Sequence, residues 1–202
     1  MTDGSSDDAI GAFDAIVYDL DGTLVRLAVD WGTVAADVDR VLRERGVDPP
    51  AGLWAMLEFA EREGHREAVE ETIADHERKG ARNSERLALA DHVEDGRYTH
   101  NGVTHERIPI GICSLNCEAA CRIAIEAHGL AEHVGAVVGR DSVSTYKPDP
   151  ESLLATVEAL GATSERVLFV GDSDRDAETA RRAGTRFVYV SELLSDDADA
   201  AE

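Results

Sequence analysis

Five short apolar runs, each followed by a longer stretch, constrain this chain most: FDAIVYDL at 13–20, IPIGIC at 108–113, VGAVVG at 134–139, RVLFVG at 166–171 and RFVYV at 186–190. Runs so brief and rich in β-branched residues, without polar alternation, suit strands buried on both faces. Helical patterns at 117–128, 150–160 and 174–183 fill the gaps between the later runs. That alternation predicts an α/β fold, a Rossmann-like open parallel sheet with helices on both faces.

The first run is separated from the second by residues 27–93, which carry no strand signal and are rich in Ala, Glu, Arg and Leu. Helices are expected near 31–45, 51–63, 65–79 and 83–92, with Gly46 ending the first and Pro49-Pro50 leading into the second. The resulting division is a core of 10–26 and 94–195, a helical insertion at 27–93, and acidic, disordered tails at 1–9 and 196–202. RYTHNGVTH at 97–105 reads as a β-hairpin turning at Asn101-Gly102.

Ligands of open α/β sheets gather beyond the carboxyl ends of the strands, so the residues just after each run matter most. The first run ends in DLDGTL, which places Asp19 and Asp21 two residues apart. A carboxylate there can act as a nucleophile toward phosphorus, splitting one difficult hydrolysis into two steps. A second carboxylate just past the strand end can donate a proton to the leaving oxygen and then activate water. Gly22 permits the sharp bend, and Thr23 with Gly22 can offer polar backbone and hydroxyl groups to the substrate.

After the second run stands Ser114 in GICSLN, a hydroxyl donor for a phosphoryl oxygen, with Asn116 expected to cap the following helix and turn its amides toward the same anion. Lys147 in YKPDPE precedes another helix. A cation is needed where a carboxylate nucleophile meets a phosphoryl group. The chain has 20 basic residues, of which only Lys79 and Lys147 are lysines, so a lysine at this position stands out. After the fourth run, VGDSDRD supplies Asp172 and Asp176, hard oxygen donors of the kind Mg²⁺ takes in ones and twos beside substrate phosphate, to be joined by Asp19 and the Asp21 carbonyl.

Those four segments, in this order on successive strand ends, resemble the haloacid dehalogenase superfamily, and within it the phosphoglycolate phosphatase-like branch. The resemblance spans 13–26 and 108–190 as core, with 27–93 as a helical cap. It implies an aspartyl-phosphate mechanism: Asp19 attacks phosphorus, Asp21 serves as acid and then base, Ser114 and Lys147 hold phosphate and nucleophile, and Asp172 completes a magnesium site. Because haloacid dehalogenases themselves lack the second Asp of the first motif, Asp21 favours phosphoester hydrolysis over carbon–halogen cleavage. The expected activity is Mg²⁺-dependent hydrolysis of a small phosphorylated metabolite, with a phosphomutase of the same superfamily or a non-catalytic phosphate-binding protein as alternatives. A hairpin stands where family members carry a Pro-Gly lead-in to the second motif. Contacts from the cap to substrate fall to Arg26, Trp31, Trp54 and Arg62, although Trp at helical spacing is more often core.

Composition narrows partners and compartment. With 41 acidic against 20 basic residues the net charge is −21, which disfavours nucleic acid and anionic membrane as partners. Acid excess with so little Lys suggests a halophile's salt-rich cytoplasm. Neither a membrane span nor a signal-type start is evident, so a cytoplasmic location is expected. Cys113, Cys117 and Cys121 lack the spacing of a zinc site and read as small buried hydrophobes. Oligomeric state is not indicated.

Overall fold

The computed structural model describes residues 13–95, 97–100, 103–106 and 108–194; the predicted tails and the Asn101-Gly102 turn lie outside them. In chain order the elements are β1 (Ala15–Tyr18), β2 (Val25–Arg26), α1 (Trp31–Glu44), α2 (Leu53–Glu63), α3 (Arg66–Ala81), β3 (Glu85–Arg86), α4 (Ala90–Asp95), β4 (Arg97–His100) and β5 (Val103–Glu106). There follow β6 (Ile110–Cys113), α5 (Glu118–Ala127), β7 (Ala136–Val138), α6 (Glu151–Ala159), β8 (Val167–Gly171), α7 (Asp174–Ala183) and β9 (Arg186–Tyr189).

All five apolar runs become strands of one parallel sheet, ordered β7-β6-β1-β8-β9. Side chains alternate across it. Ile16, Tyr18, Ile112, Leu168 and Val170 face α5 and α4 on one side. Ala15, Val17, Cys113, Val167 and Phe169 face α6 and α7 on the other. The order in which strands are added reverses at β1, with β6 and β7 on one side and β8 and β9 on the other, which opens the crevice where ligands of such folds bind.

The insertion has its own apolar cluster. Val34, Val38 and Leu42 of α1 meet Met56, Leu57 and Ala60 of α2 and Val69 and Ile73 of α3. Spacings of three and four residues put each set on one helix face. Asp30 caps α1 by accepting from the Gly32 and Thr33 amides, and Gly64, at φ 77°, closes α2 in the left-handed conformation that glycine tolerates best.

The fourth predicted helix is shorter than its pattern suggested. Asn83 and Ser84 side chains donate to the carbonyls of Lys79 and Ala81 and end α3. The chain then extends so that Glu85–Arg86 pairs antiparallel with Val25–Arg26, and only at Ala90 does a helix begin. This two-stranded ribbon joins insertion and core. Leu89, Ala90 and Val93 bury with the sheet rather than with the other three helices. β4 and β5 pair antiparallel from Arg97↔Glu106 to His100↔Val103, as the hairpin pattern predicted. Among the described residues no helix is long and apolar enough to cross a membrane. The three cysteines are free and buried, and burial pushes the Cys117 thiol up to about 12.

Candidate active site

A cavity of about 150 Å³ opens at the carboxyl ends of β1, β6 and β8, lined by Asp19, Asp21, Ser114, Asn116, Lys147, Asp172 and Asp176 together with Trp31, Trp54, Leu115 and Ser173. Seven predicted residues thus meet at one place. Gly22 and Thr23 are not on that lining. Thr23 is buried with its hydroxyl unpartnered, whereas Gly22, at φ 89°, sits so close to the Asp172 carboxylate that a Cβ would run into it. The bend therefore demands glycine on two counts, conformation and clearance.

Lys147 organises the charges. Its ammonium donates to Asp19 Oδ1 at 2.7 Å, to Asp176 Oδ1 at 2.5 Å and to the Cys113 carbonyl at 3.1 Å, which uses all three N–H groups. Burial alone would lower the pKa of Lys147, but Asp19 and Asp176 outweigh it and hold the group charged. Burial pushes Asp19 up to about 7 against the downward pull of Lys147. Asp176 has its other oxygen engaged by Ser173, whose hydroxyl donates at 2.5 Å within the capping box that starts α7.

Asp21 accepts from the Leu27 amide at 2.8 Å, which turns its side chain back over the strand end. Burial raises its pKa in spite of that bond, and Asp172 adds to the rise. A carboxyl in this setting keeps its proton to higher pH than an ordinary Asp, as a general acid must. Burial, then Asp176, also raises Asp172.

Asp19, Asp172 and Asp176 each place one carboxylate oxygen within 4.8 Å of the others. Four carboxylates facing one ammonium leave the cavity short of positive charge, and the donors are hard oxygens. The residues therefore fit a divalent cation of the Mg²⁺ type.

The second strand end is built differently from its expectation. Asn116 does not cap α5; Cys117 takes that position without a side-chain bond. The first amides of α5 go to carboxylates from elsewhere, Cys117 N to Glu77 at 2.9 Å and Glu118 N to Asp141 at 2.7 Å. These two amides are thus already spoken for. Instead, Ser114 Oγ donates to Asn116 Oδ1 at 3.0 Å and accepts from the Asn116 amide at 3.1 Å, folding the loop on itself.

Two residues that sequence reasoning missed hold this loop. Glu77 of α3 and Arg140, just after β7, are both fully buried and pair at 2.7 Å. Arg140 also donates to the Leu115 carbonyl at 2.5 Å and to Glu70 at 2.9 Å. Glu77 accepts as well from Asn116 Nδ2 at 3.3 Å. Burial would lower the pKa of Arg140, yet Glu77 and Glu70 more than offset that. A signal was present: Val69, Ile73 and Glu77 follow one another at helical spacing, so an acid ends an apolar stripe.

Of the predicted cap contacts, Trp31 and Trp54 line the cavity, Trp54 also packing against the insertion's apolar cluster, while Arg26 pairs with Glu85 at the exposed ribbon and Arg62 is exposed.

A family described as haloacid dehalogenase-like hydrolase matches residues 16–190. The phosphoglycolate phosphatase of Cereibacter sphaeroides is 35% identical over 193 residues, 88% of this chain and 84% of its own length. That of Rhodospirillum rubrum is 32% identical over 199 residues, covering 88% and 79%. The crystal structure of CbbY from Rhodobacter sphaeroides in complex with phosphate superposes with a TM-score of 0.60 over 88% of this chain and 85% of that one; at 17% identity the likeness is one of fold.

Proposed function

The chain belongs to the haloacid dehalogenase-like hydrolase family, and from that premise we propose that it is a phosphoric monoester hydrolase, Mg²⁺-dependent, acting on a small phosphorylated metabolite through an aspartyl-phosphate. The observation that carries the reading is the 2.7 Å bond from buried Lys147 to Asp19, with Asp21 and Asp172 on the same cavity.

Asp19 Oδ1 is fixed by Lys147, which leaves Oδ2 to attack phosphorus. Asp21, its proton retained by burial, protonates the departing alcohol oxygen and later takes a proton from the water that opens the acyl phosphate. Ser114 and Asn116 line the side from which phosphoryl oxygens are held. Asp19 and Asp172, with the Asp21 carbonyl and with Asp176 directly or through water, would hold the metal. A divalent cation there supplies the positive charge that a phosphoryl group and a carboxylate nucleophile both need. Phosphoglycolate phosphatase activity in the relatives places 2-phosphoglycolate among the substrates to test.

Turnover of p-nitrophenyl phosphate in molar KCl, with and without Mg²⁺, tests the reading against Asp19→Asn. Hydrolysis that needs Mg²⁺ and disappears in the variant is expected. Hydrolysis that survives Asp19→Asn would overturn it.

A further inference from the structure

Both tryptophans of this chain, Trp31 and Trp54, face a second cavity of about 660 Å³ that continues from the first, and they line it with Ala35, Leu53, Leu115 and Arg175. Trp31, Trp54, Leu115 and Ser173 belong to both linings. The catalytic cavity, at about 150 Å³, has room for a phosphoryl group with a small alcohol, whereas the adjoining groove, at about 660 Å³, falls within the usual ligand range of about 300–1,000 Å³. A larger body esterified to a phosphoryl group at Asp19 would extend into it.

From these walls we propose that the groove is the leaving-group subsite and that it selects phosphate monoesters of alcohols bearing an aromatic or other flat apolar body, in preference to short anionic ones such as 2-phosphoglycolate. The inference rests on the phosphomonoester reading of the same site. Apolar and aromatic side chains supply most of the groove surface. Trp31 is 37% exposed, so its ring is accessible to a ligand in the groove. Charges argue the same way. Among the described residues Lys147 is the one cation on the catalytic lining, and it is held by Asp19 and Asp176. Arg175 is, among the described residues, the one cation on the groove lining; it lies 5.1 Å from the Trp54 ring centre, and Asp174 on the same lining leaves the groove with no net positive charge. A carboxylate on the leaving group would meet one guanidinium and the Asp174 carboxylate, whereas a ring would find two indoles and a guanidinium plane.

Ethyl phosphate and 2-phenylethyl phosphate have alkoxide leaving groups of similar basicity, so a difference in kcat/KM between them reports the groove and not the chemistry. The wild-type enzyme with Mg²⁺ is expected to favour the phenylethyl ester by tenfold or more over both ethyl phosphate and 2-phosphoglycolate. In Trp31→Ala and Trp54→Ala that ratio should collapse toward one, with partial recovery in Trp54→Phe. A preference for 2-phosphoglycolate, or a ratio indifferent to the tryptophans, would overturn the subsite while leaving the phosphatase reading intact. If no ester turns over, that reading falls instead, and tryptophan emission decides on the groove: a saturable change on titration with 2-phenylethyl phosphate supports it, and no change refutes it.

Discussion

Lys147 meets three acceptors with three donors, and all of them are buried. Removing the charge in Lys147→Met strands two carboxylates in a dry site, which costs about 3–5 kcal/mol. Urea unfolding of the metal-free protein should show the loss, together with near-complete inactivity. Asp21 carries a different expectation, because the two proposed steps use it in opposite senses. Its pKa is raised chiefly by burial, so it is protonated below that value and the acid role fades as pH rises through it. With an alkyl ester, Asp21→Asn should lower kcat by about 10²–10⁴-fold and erase that alkaline fall. With p-nitrophenyl phosphate, whose leaving group needs no proton, the variant should release a stoichiometric burst of nitrophenolate and then stall, seen by stopped-flow absorbance. Asp19, Asp21 and Asp172 were legible because each pairs a reactive residue type with a strand end, and Lys147 because it is one of only two lysines in the chain. Arg140 was not, since its meaning depends on Glu77, which is 63 positions away.

Helix α3 does more than fill the insertion. Its apolar stripe packs Val69 and Ile73 among the other insertion helices, and one turn later the same face presents Glu77 to Arg140, Asn116 and Cys117. One helix therefore couples the insertion to the loop that carries Ser114. Glu77→Gln leaves Arg140 buried without its main counter-charge and should destabilise the protein by about 3 kcal/mol. Replacing both partners, Glu77→Met with Arg140→Met, should cost less than that single change. Both variants should raise KM more than they lower kcat, because the loop proposed to receive the phosphoryl group loosens while Asp19 and Lys147 stay in place. A KM unchanged in either variant would show that the pair supports the fold alone. The sheet and helices α1–α3 were readable from periodicity. The α4 start was not, because residues 83–89 carry a helical composition that pairing with β2 overrides.

At the scale of the molecule, 41 acids against 20 bases set the response to salt. Local ion pairs such as Arg40 with Asp37 and Glu44, or Arg181 and Arg182 with Glu178, are exposed, and pairs of that kind contribute about 0–1 kcal/mol each. Screening weakens them and the net repulsion together. Repulsion wins because the excess of 21 negative charges has no basic partner within the chain. The Debye length falls from about 10 Å at 0.1 M to about 3 Å at 1 M, so most of the gain should come in that interval. The melting temperature should therefore climb by several degrees between 0.1 and 1 M KCl and then level, each 1 kcal/mol being worth about 2–4 °C in a chain of this size. Strengthened apolar burial gives another shape, a rise that continues with concentration and that sucrose reproduces. Scanning calorimetry in KCl and in sucrose separates the two, and a melting temperature that is flat or falling up to 1 M KCl would remove both the charge explanation and the reason to place this chain in a salt-rich cell.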